Sequence, residues 1–198
     1  MKKFVALFTE SAQEFKKIRT ITLCGLFAAM AFILSSFSIR LGEYIKIGFS
    51  GLPNELVDFL FGPVVGSFFA ATMDILKLIV KSDGAWIPGL TLNAFLAGLI
   101  YGVFLYRKPI SIWRIAAAKF IVALVINVGL ATFWLSQVYG AGYLANLPAR
   151  IIKNVIMWPI NTAVLYIVLK AFEKAGVFKL MGFFIPKKKK TEMKENGD

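Results

Sequence analysis

Apolar residues fall along this chain in long blocks without charge, and those blocks predict membrane-spanning helices. Uncharged or nearly uncharged runs occupy residues 20–37, 59–73, 84–106, 120–149 and 154–169. A helix needs about 20 such residues to cross the roughly 30 Å hydrocarbon layer, and four of the five runs read as plain spans. The interval 47–80 is different. Pro53, Glu55, Asp58, Gly62, Pro63, Asp74 and Lys77 interrupt it, and Gly62-Pro63 is a strong helix breaker. Just before it, Ile39-Arg40-Leu41-Gly42-Glu43-Tyr44-Ile45-Lys46-Ile47 alternates apolar and polar positions like a strand. That alternation predicts an extended flap in the first extracellular loop, 38–52. Ser82-Asp83-Gly84 gives a second outward loop, 81–88, its turn chemistry. Both loops carry bulky apolar residues (Tyr44, Ile45, Trp86, Ile87) that need a surface to pack on.

Charge decides whether 47–80 crosses once or twice. Lys2, Lys3, Lys16, Lys17 and Arg19 precede the first span, and Lys170, Lys174, Lys179, Lys187, Lys188, Lys189, Lys190 and Lys194 follow the last. Basic flanks stay cytoplasmic, so both termini are expected there and the number of crossings is even. Two passes through 47–80 give six helices and place Arg107, Lys108 and Arg114 in a cytoplasmic loop as well. The interval is short for two passes: about 34 residues rise about 51 Å as helix, less than two full crossings. The expected fold is therefore all-α, an integral membrane bundle of six transmembrane helices with helices two and three short. A cytoplasmic amphipathic tail, 1–19, precedes a six-helix substrate-binding domain, 20–176, and a basic cytoplasmic tail, 177–198, follows it. No small-residue cleavage site follows the first apolar run, so the tail is read as retained.

Composition narrows the function. Of 198 residues 58% are hydrophobic and 17% charged, and the mean hydropathy is +0.71, more apolar surface than one soluble core can hide. The spans leave no room for a second folded domain, so any energy-using machinery sits on another chain. One cysteine and no histidine exclude a disulfide, multi-cysteine metal motifs and the usual general base, and no metal or cofactor is expected. A small membrane enzyme acting on lipid phosphates would need clustered acids, histidine or nucleophilic cysteine, and Glu55 with Asp58 is only an isolated pair. Filter-like motifs of a channel are missing too. The net charge of +12 comes from lysines at the tails without interleaved aromatics, which argues for anionic lipid headgroups and against nucleic acid.

Polar groups at membrane depth normally face a cavity or a partner. Asp74, Lys77 and Lys81 share one face of helix three; Arg150, Asn154 and Asn161 share one of helix six; Asn127, Trp134 and Gln137 nearly share one of helix five. With Asn93 near the start of helix four, these stripes converge on the outward half of the bundle. Simpler readings stand beside this one. Asp74 and Lys77 neutralise each other at i, i+3, Arg150 and Lys153 snorkel, Asn127 and Asn161 join helices, and Trp86, Trp134 and Trp158 form an interfacial belt. Taken together, carboxylate, cations, amides and indoles suit a flat, hydrogen-bonding, anionic small molecule. On helix one Gly25 and Ala29, with Cys24 and Ala28 a register beside them, make a small surface for close approach of another helix, inside the bundle or from a partner protein.

These segments together resemble the substrate-binding S-components of energy-coupling factor (ECF) transporters, and within them the folate-specific FolT family. The residues that carry the resemblance are Arg40 through Gly51, Leu60-Phe61-Gly62-Pro63-Val64-Val65-Gly66, Gly84-Ala85-Trp86-Ile87-Pro88-Gly89 running into Ala97-Gly98-Leu99-Ile100-Tyr101-Gly102, and Leu147-Pro148-Ala149-Arg150-Ile151-Ile152-Lys153-Asn154 with the Pro159 that follows. The similarity extends over nearly all of 20–169. It implies a monomeric binding subunit in the bacterial plasma membrane, not an enzyme, that captures folate outside. The subunit then docks on an ECF transmembrane coupling subunit driven by two ATP-binding subunits, and topples to release its cargo. By the same resemblance Gly25, Ala28 and Ala29 fall on the docking face. A pterin needs a ring to stack on, a carboxylate or amide for its N–H edge and cations for its glutamyl tail. Asp74, Asn93, Asn127, Asn154 and Asn161 are candidates for the edge; Trp86, Trp134 and Trp158 for stacking; Arg40, Lys46 and Arg150 for the tail. S-components for riboflavin, thiamine or pantothenate are the main alternatives.

Overall fold

A computed structural model of the chain describes residues 2–36, 39–41, 45–47, 49–81, 86–140 and 147–180. They form α1 (Lys2–Glu14), α2 (Ile18–Ser36), β1 (Ile39–Leu41), β2 (Ile45–Ile47), α3 (Leu52–Phe61), α4 (Pro63–Lys81), α5 (Pro88–Leu105), α6 (Ile112–Ile121), α7 (Ala131–Tyr139), α8 (Leu147–Lys174) and α9 (Val177–Leu180). A π-helical stretch, Val122–Leu130, joins α6 to α7 as one rod. The bundle thus has six passes: α2, α3, α4, α5, the α6–α7 rod and α8. Five of these passes are long and apolar enough to cross a membrane, and α3, at 10 residues, is the sixth. Large apolar side chains such as Ile18, Ile79 and Trp113 stand exposed around the outside, the surface a lipid solvent requires.

Gly62-Pro63 concentrates the shortness of the interrupted interval in α3. Gly62 ends α3 with φ at +89°, its N–H donating to the carbonyl of Asp58 at 3.1 Å, a left-handed turn that suits glycine. Pro63 then opens α4 at the one helical position where a missing N–H is harmless, and α4 runs for 19 residues. Short α3 lies at the centre. Pro53 and every residue from Glu55 to Phe61 are buried, packed among α2, α4, α5 and α8. Phe27, Leu56, Phe61, Val65, Ile115, Leu165 and Leu169 form the surrounding core.

The tightest packing is between α4 and α5. A Cβ on Gly102 would strike the backbone of Pro63, and one on Gly98 would lie 2.9 Å from the Cα of Ser67. Spaced four apart, the two glycines let the helix backbones touch, as small residues do in membranes.

An even number of passes puts α1 and α9 at the same end of the bundle, the terminal end. There Ser11 of α1 donates from Oγ to the carbonyl of Phe61 at 2.7 Å and accepts from the N–H groups of Val64 and Val65 at 3.0 and 3.2 Å. Glu10 pairs with Arg107 in the α5–α6 turn at 2.6 Å, and Phe178 of α9 packs on Phe59 and Phe172. At the opposite, far end the predicted flap is an antiparallel ribbon in which Arg40 stands opposite Lys46.

Candidate functional site

Depth along the bundle follows from counting residues. From the Gly62-Pro63 break, Leu52 at the top of α3 stands about 15 Å up and Asp74 on α4 about 17 Å up at 1.5 Å per residue. α3 stops at this depth, while α4 continues to Lys81 toward the far end. By topology the ribbon, Trp86 and Ile87 before α5, and Gly140 after the rod belong to the same end. Residues 82–85 and 141–146 and the side chains of Arg40 and Lys46 lie outside the described residues.

The first polar group is a relay between α4 and α5. Asp74 Oδ2 accepts a hydrogen bond from Thr91 Oγ1 at 2.8 Å, and Thr91 Oγ1 accepts one from the indole N–H of Trp86 at 3.2 Å. Trp86 is more than half exposed. Lys77, one turn along from Asp74, donates to the carbonyl of Ser50 at 3.3 Å, just ahead of α3. A second polar group lies between the long rod and α8, where Asn127 is exposed and Asn154 half-buried. Asn127 Nδ2 donates to Asn154 Oδ1 at 3.3 Å, and Asn154 Nδ2 donates to the carbonyl of Arg150 at 2.9 Å. Arg150 is half-buried on the same helix. Trp134 joins the rod to α5: its indole lies so close against Gly89 that any Cβ there would overlap the ring. That contact needs glycine at the N-terminus of α5.

Asn93, Trp158 and Asn161 are placed differently from the rest. With its amide oriented to satisfy both neighbours, Asn93 donates to the carbonyl of Gly89 at 3.2 Å and accepts from the N–H of Ala131 at 3.3 Å. It is buried and ties α5 to the rod where the π-helical stretch ends. The indole of Trp158 donates to the carbonyl of Ala116 at 2.9 Å and meets Phe120 edge-on at 5.8 Å, between α8 and α6 below the amide pair. Asn161 lies one turn beyond it toward the terminal end.

Two groups escaped the sequence reading. Thr91 links indole to carboxylate although threonine in an apolar run gives no signal of its own. Glu55 reads only as an isolated acid beside Asp58, and Lys119 not at all; together they are a buried ion pair of 2.6 Å between α3 and α6, with side chains 11% and 7% exposed. Two opposite charges in separate spans were the available sign.

The small-residue surface on α2 faces outward. Gly25 and Ala29 are exposed and Ala28 is half-covered; a Cβ on Gly25 would meet nothing within 4 Å. Among the described residues no group of three or more acidic or cysteine side chains is gathered as a metal would require.

A family model described as "ECF transporter, substrate-specific component" matches residues 19–169. The folate transporter FolT of Clostridium novyi is 29% identical over 169 residues, covering 85% of this chain and 98% of that protein. FolT of Leuconostoc mesenteroides is 28% identical, over 76% of this chain and 84% of that one. A crystal structure of FolT bound with folic acid superposes with a TM-score of 0.68 at 34% identity, covering 75% of this chain and 90% of the other.

Proposed function

As the chain belongs to the family of substrate-specific components of ECF transporters, we propose that it captures folate at its far end and delivers it after docking on a membrane coupling subunit served by two ATP-binding subunits. It is a multi-pass membrane protein and a transport component, not an enzyme. The far end faces outward and the terminal end the cytoplasm of a bacterial cell, because Lys16, Lys17, Arg19, Arg107, Lys108, Lys174 and Lys179 collect at the terminal end and basic residues are retained inside.

The observation that carries the folate reading is the likeness to FolT bound with folic acid, and the Trp86–Thr91–Asp74 relay on α4 and α5 and the Asn127–Asn154 amide pair on the rod and α8 supply the polar groups it calls for. A pterin is flat and presents an amino group and ring N–H along one edge. A carboxylate accepts those donors, amides answer its remaining acceptors, and an indole stacks on its face. Trp86 and Trp134 serve for stacking, Asp74, Asn127 and Asn154 for the edge, and Arg150 with Arg40 and Lys46 for the glutamyl carboxylates. Asn93, Trp158 and Asn161 support this lining from behind.

Isothermal titration of the purified chain with folate tests the assignment. Asp74→Asn and Arg150→Ala are expected to weaken binding at least tenfold each, a loss of about 1.4 kcal/mol or more. Wild-type affinity in both would remove this site, and a flavin or thiamine copurifying in place of a folate would overturn the ligand while leaving the transport role.

A further inference from the structure

Two lysines from different helices hold the same short stretch of chain. Lys119 of α6 pairs with Glu55 in the first turn of α3 at 2.6 Å, and its Nζ lies 5.7 Å from the centre of the Tyr101 ring on α5. Lys77 of α4 donates to the carbonyl of Ser50, two residues before α3 begins. No side chain caps α3 at this end, so these contacts fix where the helix starts.

Only residues 48–51 separate β2 from α3. Four residues reach at most about 14 Å when fully extended, so the position of the first turn of α3 constrains the position of the ribbon. A buried ion pair in a membrane bundle is a poor source of net stability, since apolar side chains of similar volume do as well. What it supplies is a defined position, one that a greasy contact able to slide does not impose. The rod that bears Lys119 also bears Asn127 and Trp134, so one helix holds the start of α3 and carries two of the proposed site residues.

We propose that Glu55 and Lys119, seconded by Lys77, are positioning residues that hold the start of α3 and through it the β1–β2 ribbon over the ligand space, and so set how fast the ligand escapes. This rests on the reading of that space as the folate site.

The test uses the full chain in nanodiscs, with folate association and dissociation followed by intrinsic tryptophan fluorescence. A nitroxide on Ile45→Cys in a Cys24→Ser background reports ribbon mobility without any ligand. The double variant Glu55→Gln/Lys119→Met removes both charges of the pair together and leaves the buried Asp58 one turn along α3 unchanged. It is expected to release folate about tenfold faster with little change in association, the usual signature of a weakened closed state, and to loosen the nitroxide. Lys119→Arg is expected to restore slow release. Should the double variant release folate at the wild-type rate over an unaltered ribbon, the pair merely neutralises itself and the proposal fails. If the double variant does not fold, Lys77→Met, which leaves the pair intact, gives the same readouts: faster release and a looser ribbon support the proposal, and unchanged values overturn it. A wild-type chain that binds no folate defeats the ligand reading instead, and the nitroxide comparison still decides the positioning role.

Discussion

Gly102 shows how little room single positions leave. Its Cα lies against the backbone of Pro63, the neighbour that cannot shift without moving the Gly62-Pro63 turn. Gly102→Ala is therefore expected to destabilise the protein by about 1–3 kcal/mol, the range for overpacking a tight contact, and to lower the melting temperature in detergent. Gly25→Ala adds its methyl to open space and should leave the melting temperature unchanged or slightly raised, because alanine is the better helix former. Equal melting temperatures for the two variants would mean that α4 and α5 do not pack this closely. The spacing of Gly98 and Gly102 was visible in the sequence, but which glycines face a neighbour and which face lipid depends on the rotation of each helix, and nearly uniform hydrophobicity hides that rotation. The same ambiguity governs the polar residues. Spacing placed Asp74, Asn127 and Asn154 at membrane depth, yet it could not show that Asn93 is taken up by two backbone groups or that Thr91 stands between Trp86 and Asp74.

At the scale of elements, the buried hydroxyl of Ser11 ties α1 to the break between α3 and α4. The Gly62-Pro63 break leaves the first N–H groups of α4 without helical partners, and Ser11, fully buried, answers two of them while donating to the end of α3. This is an N-cap supplied from another helix. Ser11→Ala is expected to cost about 1–2 kcal/mol, as for a lost cap with a buried donor left unsatisfied. It should also speed proteolysis within α1, while folate affinity, set at the other end, stays near wild type. Proteolysis at the wild-type rate would show that Phe15 on Phe68 and Glu10 on Arg107 suffice to hold the helix. Most elements were legible beforehand because their causes are local: apolar run length gave the spans, Gly-Pro the break and alternation the ribbon. The π-helical register of Val122–Leu130 was not. The N–H of Ala131 closes the last π turn on the carbonyl of Ile126, and the amide oxygen of Asn93, from α5, reaches that same N–H, a partner far away in sequence.

On the function proposed above the whole molecule has two faces with separate duties: a ligand space at the far end, and a flank on α2 where Thr22, Gly25 and Ala29 lie exposed while Phe27, Ala31 and Ser35 are buried. Small side chains gain the bundle nothing on its outer surface, since lipid tails solvate leucine as well as they do alanine. They allow a second helix to come close enough for backbone contact. The flank is therefore where the coupling subunit is expected to seat, and because it shares no residue with the ligand space the two duties are separable by substitution. Gly25→Leu, placed where there is room for a larger side chain, should bind folate within about twofold of wild type, as distant sites behave independently. It should nonetheless lose most ATP-driven uptake in proteoliposomes reconstituted with the coupling module, and should copurify poorly with it. Full uptake by this variant would move the docking surface elsewhere on the bundle; a matching loss of folate affinity would mean that the flank and the ligand space are coupled through α2.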